Sequence, residues 1–187
     1  MTTPVYICTG FLDSGKTTFI KRLARNVDQR FAILENEYGA AGIDGARLGQ
    51  NRQGTQKNVW EMTEQCICCI GKKDFAASVL TIANVVDPEY LIVEPTGVGS
   101  LARIIENLRQ IEYERIQLLS PVTIVDVYSY RRYMAEYPEL YQDQIRSADT
   151  IIVSKTEACQ AEEKQRIQKF LQEINSQAKI ITDYAST

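Results

Sequence analysis

The chain has 187 residues, with 21 lysines and arginines against 24 aspartates and glutamates, a formal net charge of −3. That length suits one sizeable core, and the mild acidic balance argues against a broad nucleic-acid surface. Histidine is absent, so a protein-supplied metal site would use thiolate, carboxylate or backbone oxygen, and proton transfer near neutral pH cannot rest on imidazole.

Met1-Thr2-Thr3-Pro4 leads straight into an apolar run, Val5 to Cys8. No signal-peptide pattern precedes it and no apolar run approaches a membrane span, so a cytoplasmic protein without membrane contacts is expected. Directly after the run comes Gly10-Phe11-Leu12-Asp13-Ser14-Gly15-Lys16-Thr17-Thr18, which fits the phosphate-loop pattern Gly-x4-Gly-Lys-Thr. Its glycines let the backbone curl around phosphate oxygens, and its amides and the following helix N-terminus supply positive potential. Lys16 would reach the outer phosphates and the Thr17 hydroxyl would ligate magnesium. Gly10, Asp13, Ser14, Gly15, Lys16, Thr17 and Thr18 are the expected nucleotide contacts. Phe19, Ile20, Leu23 and Val27 then share one face of a helix starting at Lys16.

Phe31 to Leu34 is the next strand-length run. Residues Asn36 to Thr55 break the pattern, because five glycines, few large apolar side chains and several charges read as a long mobile loop. Further on, Gln65-Cys66-Ile67-Cys68-Cys69-Ile70-Gly71 packs three of the chain's five cysteines into four residues. An odd count clustered in this way fits a reducing compartment and metal or thiol chemistry better than a disulfide framework. In an extended segment Cys66 and Cys68 point to one side and Cys69 to the other, and a turn permitted by Gly71 would bring Cys69 in. Thiolates select zinc, cuprous copper or ferrous iron over magnesium. Zinc is the default, with a carboxylate from Glu37, Glu61 or Glu64 as fourth ligand. Buried apolar cysteines or a redox pair are the plainer alternatives. Cys8, inside the first run, and Cys159, beside a helix start, are assigned to packing and to the surface.

Phe75, Val79, Ala83 and Val86 make a loose helical stripe, and Tyr90 to Val93 is a strand that ends in Glu94-Pro95-Thr96-Gly97. Glu94 is placed to serve as the magnesium-side carboxylate and Gly97 to turn an amide toward the terminal phosphate; the alternative is an ordinary strand end and turn. Leu101, Ile104, Ile105 and Leu108 repeat at helical spacing, and Val122 to Val125 is again strand length. Thr150 to Val153 runs into Ser154-Lys155-Thr156-Glu157, a degenerate form of the Asn-Lys-x-Asp guanine-reading motif. A carboxylate at Glu157 can accept both N1–H and the exocyclic amine of guanine, whereas adenine presents an acceptor at N1. Lys155 would lay its alkyl stem on the base. The longer glutamate, and Ser154 in place of asparagine, predict a GTP preference with reduced affinity; a polar turn after a buried strand is the alternative. Ile167, Phe170, Leu171 and Ile174 form the last helical stripe and Lys179 to Ile181 the last strand. Strands alternating with helices predict one α/β domain over 1–187 with a mostly parallel central sheet and helices on both faces. Ligands in such sheets gather at the carboxyl ends of the strands.

Together these segments resemble the CobW-type metallochaperone GTPases, relatives of the UreG and HypB nickel-insertion GTPases. The likeness spans the chain. It rests on Thr9-Gly10-Phe11-Leu12, Asn36-Glu37-Tyr38-Gly39 with Gly42-Ile43-Asp44, Cys66-Ile67-Cys68-Cys69, Glu94-Pro95-Thr96-Gly97, Val125-Asp126, and Gln144 to Asp149 leading into Ser154-Lys155-Thr156-Glu157. The resemblance implies a P-loop NTPase fold in which Asn36 to Asp44 is switch I and Glu94 to Gly97 is switch II. It also implies an internal metal site at Cys66, Cys68 and Cys69, with Glu37 completing it. Lys16, Thr17 and Glu94 would then serve a slow hydrolysis of GTP to GDP, with magnesium held by Thr17 and Glu94. A client metalloenzyme would receive the metal, and a homodimer or the client would supply a missing catalytic group. Four positions depart from the family: Asp13 and Gln65 stand where glycine is usual, and Ser154 and Glu157 replace Asn and Asp. The resemblance also implies a C-terminal domain in family members, and residues 1–187 are expected to hold the GTPase domain alone. The rival reading is another P-loop NTPase, such as a small-molecule kinase, with the cysteines structural or redox.

Overall fold

The computed structural model describes residues 2–26, 30–35, 59–63, 72–112 and 115–183. In chain order the elements are β1 (Thr3–Gly10), α1 (Lys16–Asn26), β2 (Phe31–Glu35), β3 (Val59–Thr63), α2 (Lys72–Val85), β4 (Tyr90–Glu94) and α3 (Leu101–Arg109). They continue with β5 (Ile116–Leu118), β6 (Val122–Asp126), α4 (Tyr130–Glu136), α5 (Pro138–Arg146), β7 (Thr150–Ser154), α6 (Ala161–Ile174) and β8 (Lys179–Ile181). Every predicted apolar run is a strand. β2, β4, β6 and β7 each extend one residue beyond the run, to Glu35, Glu94, Asp126 and Ser154. Their apolar stretches are continuous because both faces of the sheet are covered; the polar residue falls where the strand leaves the core.

All described strand pairs are parallel, in the order β3-β2-β4-β1-β6-β7-β8. β5 and β6 follow one another along the same flank of β1: Thr3 to Val5 pair with Ile116 to Leu118, and Cys8 to Gly10 with Val122 to Ile124. β1 is therefore central, and its carboxyl end lies where connections leave toward opposite halves of the sheet. Such a topological switch opens a crevice for ligands.

Alternate strand residues feed two cores. Ile7, Leu34, Val93, Val125 and Val153 pack with side chains of α2, α3, α4, α5 and α6. Cys8, Ile33, Ile92, Ile124 and Ile152 face the other way, with Ile20 of α1. Each fully buried aliphatic side chain is worth about 2 kcal/mol. Helices thus cover both faces as expected, although α1 is the only helix on its side among the described residues. Leu23 departs from its expected core position. It is 36% exposed and borders an apolar groove of about 290 Å³ with Tyr6, Phe19, Tyr90 and Val122. Val86 lies in the turn after α2, and Val27 falls outside the described residues.

Four elements carried no signal in the pattern: β3, β5, α4 and α5. α4 and α5 bury Tyr130, Tyr133 and Tyr141 with Ile145 as their one fully buried aliphatic, and Pro138 opens α5 directly after Tyr137 closes α4. Among the described residues no helix is long and apolar enough to cross a membrane.

Candidate functional site

The loop between β1 and α1 is a chain of unusual backbone conformations. Gly10, Asp13 and Gly15 have φ values of 155°, 56° and 92°. A Cβ at Gly10 would lie 2.5 Å from the Ile124 carbonyl oxygen and 2.6 Å from Ser14 Oγ, so only glycine fits there. Ser14 N donates to Phe11 O at 3.2 Å, and Lys16 Nζ reaches back over the loop to the same oxygen at 3.3 Å. Phe19 N donates to Gly15 O at 2.9 Å and opens the helix. Ser14 Oγ is buried with no hydrogen-bond partner among the described residues. Asp13, Thr17 and Thr18 are exposed at the mouth of this turn. Successive amides arranged so form a concave anion site.

The ends of the later strands close on the loop. Thr17 Oγ1 donates to Glu94 Oε1 at 3.1 Å, which joins positions 77 residues apart. Glu94 is 8% exposed, so its carboxylate sits beneath the loop. A Cβ at Gly97 would come within 2.8 Å of Leu12 N, so the turn after β4 lies backbone to backbone against the loop. From β7, Ser154 Oγ donates to Ser14 O at 2.6 Å. The serine that replaces the family's asparagine therefore ties the phosphate loop to β7. Lys155 has φ 60° and donates to Asp126 Oδ2 at 2.8 Å; Asp126 also accepts from Tyr128 N and Ser129 Oγ, both at 2.9 Å. Glu157 is exposed near the same edge of the sequence motif.

Behind the loop stands an aromatic cluster. Phe11 is 1% exposed, with its ring centroid 4.5 Å from Tyr133, 5.3 Å from Tyr137 and 5.4 Å from Tyr141. The Tyr133 hydroxyl donates to Leu12 O at 3.1 Å. Gln144, on α5, donates to the carbonyls of Gly97 and Gly99. Tyr133, Tyr137 and Tyr141 carried no expected role, and Gln144 entered only as the start of a segment of the family likeness; the tyrosines at positions 130, 133, 137 and 141 were the available clue. Cys8 is buried as expected, and burial pushes its thiol well above the ordinary range, with the Glu94 charge adding and Lys16 opposing. Cys159 is half-buried against the main core rather than a plain surface residue.

Gly10, Asp13, Ser14, Gly15, Lys16, Thr17, Thr18, Glu94, Gly97, Ser154 and Lys155 thus gather at one edge of the sheet. Glu37, Cys66, Cys68, Cys69 and the segment Asn36 to Asp44 lie outside the described residues. Among the described residues no group of three cysteine, aspartate or glutamate side chains is placed to hold a metal ion.

A glycine loop joining a central parallel strand to a helix at the switch point of the sheet defines a phosphate-loop nucleotide-binding domain. The family model of the CobW/HypB/UreG nucleotide-binding domain matches residues 4–182, and the chain belongs to that family. It is 31% identical over 178 residues to the zinc chaperone YeiR of Escherichia coli, covering 94% of this chain and 53% of that protein. It is 28% identical over 193 residues to the zinc chaperone CobW of Pseudomonas aeruginosa, covering 88% of this chain and 52% of that one. The chain spans about half the length of these curated relatives. The crystal structure of the Zn(II)-bound YjiA GTPase from E. coli shares its fold with a TM-score of 0.71 at 24% identity, covering 97% of this chain and 57% of that one.

Proposed function

We propose that this chain is a GTP-hydrolysing zinc carrier of the cytoplasm, in which the state of the nucleotide gates a Cys-x-Cys-Cys metal site. The observation that carries the reading is the convergence of Thr17 and Glu94 beneath the phosphate loop at 3.1 Å. It supports a triphosphate site because the hydroxyl and the carboxylate supply the hard oxygen donors that magnesium prefers. Magnesium bound there would neutralise charge on the outer phosphates. Lys16 and the loop amides stabilise the charge that builds on the transferred group. Gly97 turns toward the terminal phosphate, and Ser154, Lys155 and Glu157 line the guanine end.

Zinc is the cargo. Cys66, Cys68 and Cys69 hold it with Glu37, and Glu37 lies in the same segment, Asn36 to Asp44, that a terminal phosphate would order. The likeness to the zinc chaperones YeiR and CobW supports zinc as the cargo. Turnover by the chain alone is slow and rises when a client metalloenzyme, or a second copy, contributes a group that orients water. Transfer to the client proceeds by exchange of thiolate ligands.

The test is zinc titration of the nucleotide-free, GDP-bound and GTP-analogue-bound chain. Zinc affinity is expected to differ at least tenfold between the two nucleotide states, and zinc must change the affinity for the analogue relative to GDP by that same factor. Cys66→Ser is expected to weaken zinc and leave GDP affinity unchanged. Equal zinc affinity in all three states would eliminate the gating.

A further inference from the structure

Gln144 is 1% exposed, inside α5, and more than forty residues from the turn it serves. Its Nε2 donates to the carbonyl oxygens of Gly97 at 3.0 Å and of Gly99 at 2.9 Å. Both amide protons are thereby spent on the turn that follows Glu94. The main chain of Gln144 is itself held, because Thr123 Oγ1 on β6 donates to the Gln144 carbonyl at 2.9 Å. Within the turn, Gly99 N donates to Thr96 O at 3.0 Å.

Filling this space with leucine would avoid burying an amide, so a glutamine here is retained for what its donors hold. A trans peptide points its carbonyl and its N–H in opposite directions. Drawing the Gly97 carbonyl toward α5 therefore turns the Val98 amide away from α5, and the backbone of Gly97 is pressed against Leu12 of the phosphate loop. Gln144 Oε1 has no hydrogen-bond partner among the described residues.

We propose that Gln144 is the positioning residue of the Gly97–Gly99 turn, setting it for the terminal phosphate of a triphosphate and leaving diphosphate binding untouched. This inference rests on the reading of the chain as a GTP-binding protein. Diphosphate contacts lie in the loop between β1 and α1, which Gln144 does not touch; the terminal phosphate is the group that the turn after β4 meets.

The experiment compares GDP with guanosine 5′-(β,γ-imido)triphosphate, each with magnesium, on the whole chain. Gln144→Leu is expected to bind the imido analogue about tenfold more weakly and GDP within about twofold of the parent. Thr123→Val removes a buried hydrogen bond at the same spot without touching the turn, and is expected to lower the melting temperature while leaving the ratio of the two affinities unchanged. Equal losses for both nucleotides in Gln144→Leu, or a changed ratio in Thr123→Val, overturn the proposal alone. A parent chain that binds neither nucleotide overturns the GTP reading and the proposal with it. Should Gln144→Leu not fold, the parent still decides: the two Nε2 proton resonances of Gln144 are expected to shift when GDP is exchanged for the analogue, and unmoved resonances overturn the role.

Discussion

Asp13 illustrates how backbone and electrostatic demands separate at a single residue. Its φ of 56° is the left-handed conformation that glycine adopts freely and aspartate tolerates better than most side chains. The family's glycine and this chain's aspartate therefore satisfy one backbone requirement, but the aspartate sets an exposed carboxylate at the mouth of a site built for anions. Asp13→Gly is expected to tighten GTP and GDP alike by roughly threefold to tenfold, whereas Asp13→Val should lower stability by about 1–2 kcal/mol, read by nucleotide titration and thermal melting. Much of the site was legible at this scale, because phosphate chemistry demands Gly10, Gly15, Lys16 and Thr17 at fixed spacing. Ser154 shows the limit. Its substitution for asparagine read as the loss of an amide, while its hydroxyl in fact reaches Ser14 O, 140 residues away in the chain. No local pattern encodes a partner at that distance. Gln144 was visible only as the first residue of a family-like segment, since its role acquires meaning only beside the two carbonyls it holds.

Among the elements, α6 owes its end to Asn175. Its Nδ2 donates to the carbonyls of Ile145, Arg146 and Ala148 at 2.8, 3.2 and 2.9 Å, and its Oδ1 accepts from Gln177 N and Ala178 N, both at 3.1 Å. One side chain thus closes α6, satisfies carbonyls at and just beyond the end of α5 and starts the turn into β8. Asn175→Ala is expected to destabilise the fold by about 2 kcal/mol, seen as a lower urea midpoint with unchanged denaturant slope. Elements with aliphatic faces were readable from their spacing; those built otherwise were not. β5 has only three residues, β3 carries a glutamate between Trp60 and Met62, and α4 and α5 bury aromatic side chains around a proline. Tyrosine is half polar, and a stripe of tyrosines does not announce which face is inward.

At the scale of the molecule, alternation of strand and helix was enough to predict the parallel sheet. The order of its strands was not available, since it depends on which edge each crossover returns to. The assembled core has a consequence for alkaline solution. Burial raises the Cys8 thiol above its ordinary value of 9.0, helped by Glu94 and opposed by Lys16. Burial, then the charges of Asp126, Tyr133 and Tyr141's neighbour Tyr130, raises the Tyr141 phenol above its ordinary 10.0. The unfolded chain releases both protons first as pH rises, so the stability they support is complete below pH 9 and declines beyond it, until the raised folded values are passed. Urea midpoints are expected to fall from pH 9 upward, and Tyr141→Phe should flatten the part of that fall above pH 10. The contact between Gly97 and the main chain of Leu12 has a mechanical corollary. With no side chain between them to yield, any residue larger than glycine at position 97 would act as a wedge and prise the two segments apart. Tyr133 fastens Leu12 to α4 and Gln144 fastens Gly97 to α5, so the load of such a wedge would fall on that flank of the sheet.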